Sequence, residues 1–417
     1  MLNGTRSETP LPSAYRDTKI GKLPSSWKVL SLADVTDPSA PIRYGVVQIG
    51  PDTPDGVPII PIKHIRRIND ATLHRASPEV EAAYAGSRVE GGDVLISVKG
   101  TIGDVGVVPT GFEGNIAREI ARIRPNPICD ADFLSFQLQA DQTQRRIDSK
   151  VVGSTRLEFS IHAVRDFLIA LPPLPEQRKI AEILRTWDEA IEKLEALRAA
   201  KLRRLDGLRN GLLFGDMRHG QSRTKWPPRR IGDVTHELTA RNGNMSLGRD
   251  LVMGVTNSRG IVPMREQTVA DDISRYKHLP PLAFAYNPMR INVGSIAMNP
   301  SEQTFLVSPD YVVFACNADG IEPEYLDHLR QTRWWLHHIN SGGSGSVRTR
   351  TYFSDLAALH LPLPALDEQR AIVRVLNTAT TEVTANDRMR EALTRQKRGL
   401  MQKLLTGEWR VSVEGGA

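Results

Sequence analysis

The side chains best suited to chemistry in this chain are basic and amide groups standing in short, glycine-bearing loops. In the N-terminal half they are Arg43 and Tyr44 before Gly45, Lys63 with Arg66 and Arg67, Lys99 and Thr101 around Gly100, Arg118 near Asn115, and Arg156 after Gly153. In the C-terminal half they are Arg241 with Asn242, Asn257 with Arg259, Asn287 with Arg290 and Asn292, and Arg348 with Arg350. Arginine and lysine pair with guanine edges and with phosphate, and asparagine pairs with adenine. Glycine lets a backbone approach a phosphate closely. The chemistry these groups offer is recognition of double-stranded DNA. One charged loop is ordinarily just a solvated loop; the argument lies in the same kind of loop recurring in both halves.

No catalytic signature accompanies them. There is no glycine-rich loop ending in Gly-Lys-Ser/Thr, and the glycines of 341–345 lack the lysine that would make one. Asn287-Pro288-Met289-Arg290 resembles an amino-methyltransferase motif only superficially. His337 and His338 are adjacent, so they point to different helix faces and suit no metal. The chain is therefore expected to be a non-enzyme with no metal and no cofactor of its own. Its 54 Lys and Arg exceed its 48 Asp and Glu, a net charge of +6 that leans toward a polyanionic partner. Two cysteines form neither a disulfide framework nor a zinc site, and no apolar run spans a membrane, so a cytoplasmic location is expected.

The elements that must position these loops come in two copies. Glu176-Gln177-Arg178 returns 192 residues later as Glu368-Gln369-Arg370, and the register holds to Arg218 and Arg410. A period this long marks a duplicated domain plus helix. Each half has the same order: a Trp-led start (Trp27, Trp226), a globular region, a short helix, a Gly/Ser/Arg loop, a Pro-rich hinge and a long helix. The runs 57–62, 93–98 and 311–314 read as strands. The expected organisation is a tail at 1–22, domains at 23–170 and 217–360, long helices at 171–216 and 361–410, and a tail at 411–417. The fold class is α/β (α+β), with a mixed, twisted sheet in each domain.

In the first long helix, apolar residues alternate three and four apart: Leu184, Trp187, Ile191, Leu194, then Leu205, Leu208 and Leu212. The second gives Leu376, Val383, Leu393, Leu400 and Leu404. That is a coiled-coil seam, interrupted midway by polar residues such as Arg198 and Lys397. Both helices are acidic early and basic late, so they attract only when antiparallel. The expected result is an antiparallel pair relating the two domains by an approximate two-fold axis. Pro175 is expected as a first helical residue and Asp367 as an N-cap.

This arrangement resembles the specificity (S) subunit of type I restriction–modification systems. The resemblance is carried by Leu171-Pro172-Pro173-Leu174-Pro175-Glu176-Gln177-Arg178, by its partner at 361–372, by the helix ends at 207–215 and 399–407, and by 92–103 and 286–295. The resemblance implies that each domain reads one half of a split, asymmetric DNA target. It further implies that the helices set the spacer and dock two methyltransferase (M) subunits, which use S-adenosylmethionine. Restriction (R) subunits, using ATP and Mg, would join them. Under this reading Arg156→Ala weakens one half-site and Arg348→Ala the other. A coiled-coil adaptor that binds no DNA is the alternative, as is a DNA-modifying enzyme with an unfamiliar site.

Overall fold

The computed structural model describes residues 15–69, 72–153, 157–217, 226–244, 246–341 and 350–412. It divides into two compact units, one of residues 1–194 with 389–417 and the other of 195–388. The division falls inside both long helices, Leu174–Leu213 and Leu366–Leu405, so each unit takes part of each helix.

In the first unit a four-stranded antiparallel sheet orders its strands as Arg43–Tyr44, Ile120–Ile123, Val94–Ser97 and Val105–Val107. The central strands Val94–Ser97 and Ile120–Ile123 are buried along their whole length, which explains why they are mostly apolar, Arg122 and Ser97 excepted. A second sheet pairs Val57–Ile60 with Arg75–Ala76 and, in parallel, with Asn115–Ile116. Lys28–Ser31 pairs with Leu168–Leu171, so the Trp27 segment is stitched to the strand leading into the hinge. The predicted short helix is two, Ala131–Gln139 and Asp141–Asp148, with Asp130 capping the first by accepting from Phe133 N at 2.9 Å.

The second unit has the same plan. Its sheet orders Thr235–Glu237, Val312–Cys316, Phe284–Tyr286 and Ile296–Met298. Val252–Thr256 and Phe305–Val307 pair in parallel, as Val57–Ile60 and Asn115–Ile116 do in the first unit. Pro228–Arg230 pairs with His360–Pro362 at the hinge, and the short helices are Pro323–Leu329 and Arg333–Ser341.

The repeated Glu-Gln pair explains how each domain holds its helix. Gln177 is fully buried; its Oε1 accepts from Asp130 N at 2.8 Å and its Nε2 donates to Ile128 O and Pro172 O. Gln369 repeats this in the second unit, accepting from Glu322 N at 2.9 Å and donating to Gly320 O and Pro364 O. Trp27 Nε1 donates to Glu176 at 3.1 Å, and Trp226 Nε1 to Glu368 at 3.2 Å. In the first unit Arg410 also grips Glu176 with two bonds of 2.6 and 2.8 Å. Each buried amide has both ends satisfied, as a polar group inside a core must.

The helices run antiparallel within each unit. In the first, Glu176 meets Arg410 and Asp188 meets Lys397; in the second, Arg198 meets Asp387 at 2.5 Å and Arg204 meets Glu382 at 3.4 Å. The interruptions of the seam at Arg198 and Lys397 are thus cross-helix ion pairs. Leu184 and Leu404 are core residues of the first unit, and Leu205, Leu376 and Val383 of the second. Trp187, Ile191, Leu194, Leu208, Leu212, Leu393 and Leu400 are only half-buried, as two helices without further cover require. The second helix starts at Leu366, so Asp367 lies in its first turn and is not its N-cap; Pro175 is likewise the second helical residue. Gly215 and Gly407 follow the helix ends with φ of +81° and +72°, the left-handed termination expected of glycine there.

Candidate nucleic-acid interface

In the first unit five segments meet at one end of the four-stranded sheet. The turn after Val94–Ser97 carries Lys99 and Thr101, and Gly100 and Gly103 turn it with φ of +72° and +89°. Beside it lies 117–119, since Val98 N donates to Glu119 O at 2.8 Å, and Arg118 N in turn donates to Val46 O at 3.0 Å. The 62–67 segment packs against the far side of the turn, where Arg66 pairs with Asp104 at 2.7 Å. Gly106 permits that approach, because a Cβ there would lie 1.8 Å from Ile65 O. Lys63, Arg66, Arg67 and Asp104 line a cavity of about 430 Å³ there. The fifth segment is 157–161, joined through Phe159 N, which donates to Val98 O at 2.9 Å.

At the centre of this surface sit three residues from three segments. Tyr44 Oη donates to Glu158 Oε1 and accepts from Ile161 N at 3.2 Å. Lys99 Nζ stands 3.4 Å from the same Glu158 oxygen and 4.5 Å from the centroid of the Tyr44 ring. Burial and the carboxylate beside it push the Tyr44 phenol up to about 12, so it is a donor at neutral pH. The Tyr44 hydrogen bond and, more weakly, Lys99 hold the Glu158 carboxyl below its ordinary range.

In the second unit the corresponding turn, 287–295, is organised by Asn287, whose Oδ1 accepts from Met289 N at 2.9 Å. It exposes Arg290 and Asn292 together with Met289 and Val293. Asn257 and Arg259 come alongside, because a Cβ on Gly294 (φ +85°) would lie 2.7 Å from Asn257 Oδ1 and Ser295 Oγ donates to Val255 O. The segment after 349 joins them through Thr351 N, which donates to Pro288 O at 3.0 Å, and Arg350 is exposed there.

Four other sequence candidates behave differently. Arg43 is exposed, but it stands beside Gly86 and opposite Arg122 across the strand pair, on the side away from Tyr44. Asn242 is fully buried: its side chain bonds Leu247 N and Leu247 O, closing the 242–247 loop, so it presents no free amide to a base. Asn115 is equally buried against Ser87, Glu81 and Tyr84. Arg241 is tied to a separate segment, donating to Arg275 O at 2.8 Å. Arg156 and Arg348 lie outside the described residues. Sequence reasoning missed Glu158 altogether. Its partners lie 114 residues back at Tyr44 and on the Lys99 turn, and only the fold brings the three together.

Residues 53–202 match the family described as the type I restriction modification DNA specificity domain. A putative type I restriction enzyme MjaX specificity subunit from Methanocaldococcus jannaschii is 23% identical over 434 residues, covering 95% of this chain and 97% of that one. The chain is thus similar along its length to type I restriction–modification specificity subunits. The EcoBI specificity subunit of Escherichia coli is 30% identical over 180 residues, a segment that is 41% of this chain and 37% of that protein. Its match thus spans about a third of that relative's length. The S subunit from M. genitalium shares the fold, with a TM-score of 0.57 at 14% identity over 91% of this chain and 96% of its own. Members of this family are specificity subunits and non-catalytic. Among the described residues no group of histidines, cysteines and carboxylates has metal-binding geometry, and no helix is long and apolar enough to cross a membrane.

Proposed function

We propose that this specificity subunit binds a bipartite, asymmetric double-stranded DNA target, one half-site to each unit. One observation carries the reading. In both units the loops at the same end of the same four-stranded sheet gather cationic side chains, all exposed except the half-buried Lys99, around a glycine-turned hairpin. In the first these are Lys63, Arg66, Arg67, Lys99 and Arg118, with Thr101; in the second they are Arg259, Arg290 and Arg350, with Asn257 and Asn292. Such groups supply phosphate contacts for position and donors for base edges. Arg156 and Arg348, outside the described residues, are assigned the same role from their equivalent places in the repeat alone. The long helices, whose half-buried seam residues leave apolar surface to cover, dock two M subunits, and R subunits complete the assembly. The M subunits would bring S-adenosylmethionine for adenine methylation, and the R subunits ATP and Mg.

A genome-wide map of N6-methyladenine tests this, in cells expressing the chain with its M subunit and in cells expressing M alone. A bipartite motif with unlike halves, present only with the chain, is expected. A stable complex with M that adds no methylation, together with DNA affinity indifferent to salt, would leave a protein adaptor as the better reading.

A further inference from the structure

Among the first unit's candidate contacts, Glu158 is of the wrong sign for a DNA-facing surface. A carboxylate there is repelled by phosphates, so the groups on DNA that can bond it are the exocyclic amino donors of the bases. Two other carboxylates share the surface, but Glu119 pairs with its exposed sequence neighbour Arg118, and Asp104 with an exposed Arg66. Pairs of that kind are loosely held. Glu158 is anchored differently. Its Oε1 takes the Tyr44 hydroxyl, which is itself fixed by the Ile161 amide, and Lys99 stands against both the carboxylate and the Tyr44 ring. Oε2 has no hydrogen-bond partner among the described residues, and the side chain is about one-third exposed, at 35%.

Resting on the DNA-reading function above, we propose that Glu158 is a specificity determinant of the first half-site. In this role Oε2 accepts a hydrogen bond from an exocyclic amino group in the major groove, cytosine N4 by preference. Tyr44 and Lys99 are positioning residues: they hold one oxygen still, which directs the other, and Lys99 offsets the charge so that the carboxylate can approach DNA. A preorganised acceptor loses little freedom on binding and discriminates sharply for that reason. Among the described residues, the second unit's hairpin carries no carboxylate. Arg290 and Asn292 stand there with exposed Met289 and Val293, so the two halves read DNA with different chemistry.

The test is the methylation map with Glu158→Gln and Tyr44→Phe variants in the complex with M. Gln keeps the shape and one acceptor but adds a donor, which suits adenine. Glu158→Gln is expected to move the preference from cytosine toward adenine at one position of one half-site. Discrimination at that position should fall by on the order of ten- to a hundred-fold. The other half-site serves as the internal control and stays as it was. Tyr44→Phe, which keeps the ring under Lys99, should blur the same position more weakly. An unchanged motif in Glu158→Gln, or a uniform loss at every position of that half-site, overturns the proposal while leaving DNA recognition intact. Absence of any motif with the wild-type chain instead overturns the DNA-reading function, and this proposal with it.

Discussion

At the residue scale, two asparagines with the same local setting have opposite fates. Asn257 is exposed beside the 287–295 turn, whereas Asn242 spends both side-chain atoms on the 242–247 loop. Asn242→Ala should therefore cost roughly 1–3 kcal/mol of stability, read as a lower midpoint in denaturant, with base preference unchanged. Asn257→Ala should do the reverse. Their sequence neighbourhoods do not separate them, because the distinction lies in a backbone turn five residues away. His328 offers a pH test. It is buried, with Nε2 against Asn377 and no partner for Nδ1, and burial holds its pKa below the ordinary value of 6.5. Below that pH the unfolded chain takes up a proton that the folded one refuses, so stability falls as pH drops from 6.5 toward the folded pKa. Thermal melting between pH 7.5 and 5 should show this fall, and His328→Gln should flatten it.

At the element scale, most of what positions the site is legible in the sequence. The duplication, the runs that become strands 57–60, 94–97 and 312–316, the helix polarity and the terminating glycines are local patterns, and local pattern dictates them. What is not legible is long-range: which faces of the loops meet, and why Glu-Gln is repeated. The repeat reveals that 176–177 and 368–369 are equivalent, but the amide's three bonds to segments up to 49 residues away emerge only in the fold. Gln177→Leu should strand the Asp130 amide and two carbonyls, weakening the hold of the domain on the helix by about 1–3 kcal/mol. Hydrogen exchange should detect this as earlier opening of 128–134 and 172–180. Gly106→Ala should be severe, since its Cβ would meet a backbone oxygen that cannot move without shifting the whole 62–67 segment.

At the scale of the whole molecule, each unit is built with one stretch of each long helix, and this makes damage non-local along the chain. Leu404 and Leu405 belong to the core of the first unit, and Tyr15 and Glu176 bond to Gly407 and Arg410. Deleting 389–417 should therefore loosen the first unit, with hydrogen exchange rising across 15–194. Half-site loss should follow the same logic, the first half-site fading more than the second.

The same discontinuity dictates a timetable for a chain emerging from the ribosome. The second unit is one continuous stretch, 195–388, and can close as soon as it is released. The first must wait for its last helical turns, although its own residues appear first. At roughly 5–20 residues per second that delay is on the order of ten seconds or more. Through it the apolar seat for Leu404 and Leu405 stands open, inviting helper proteins or another nascent copy's C-terminal helix to fill it.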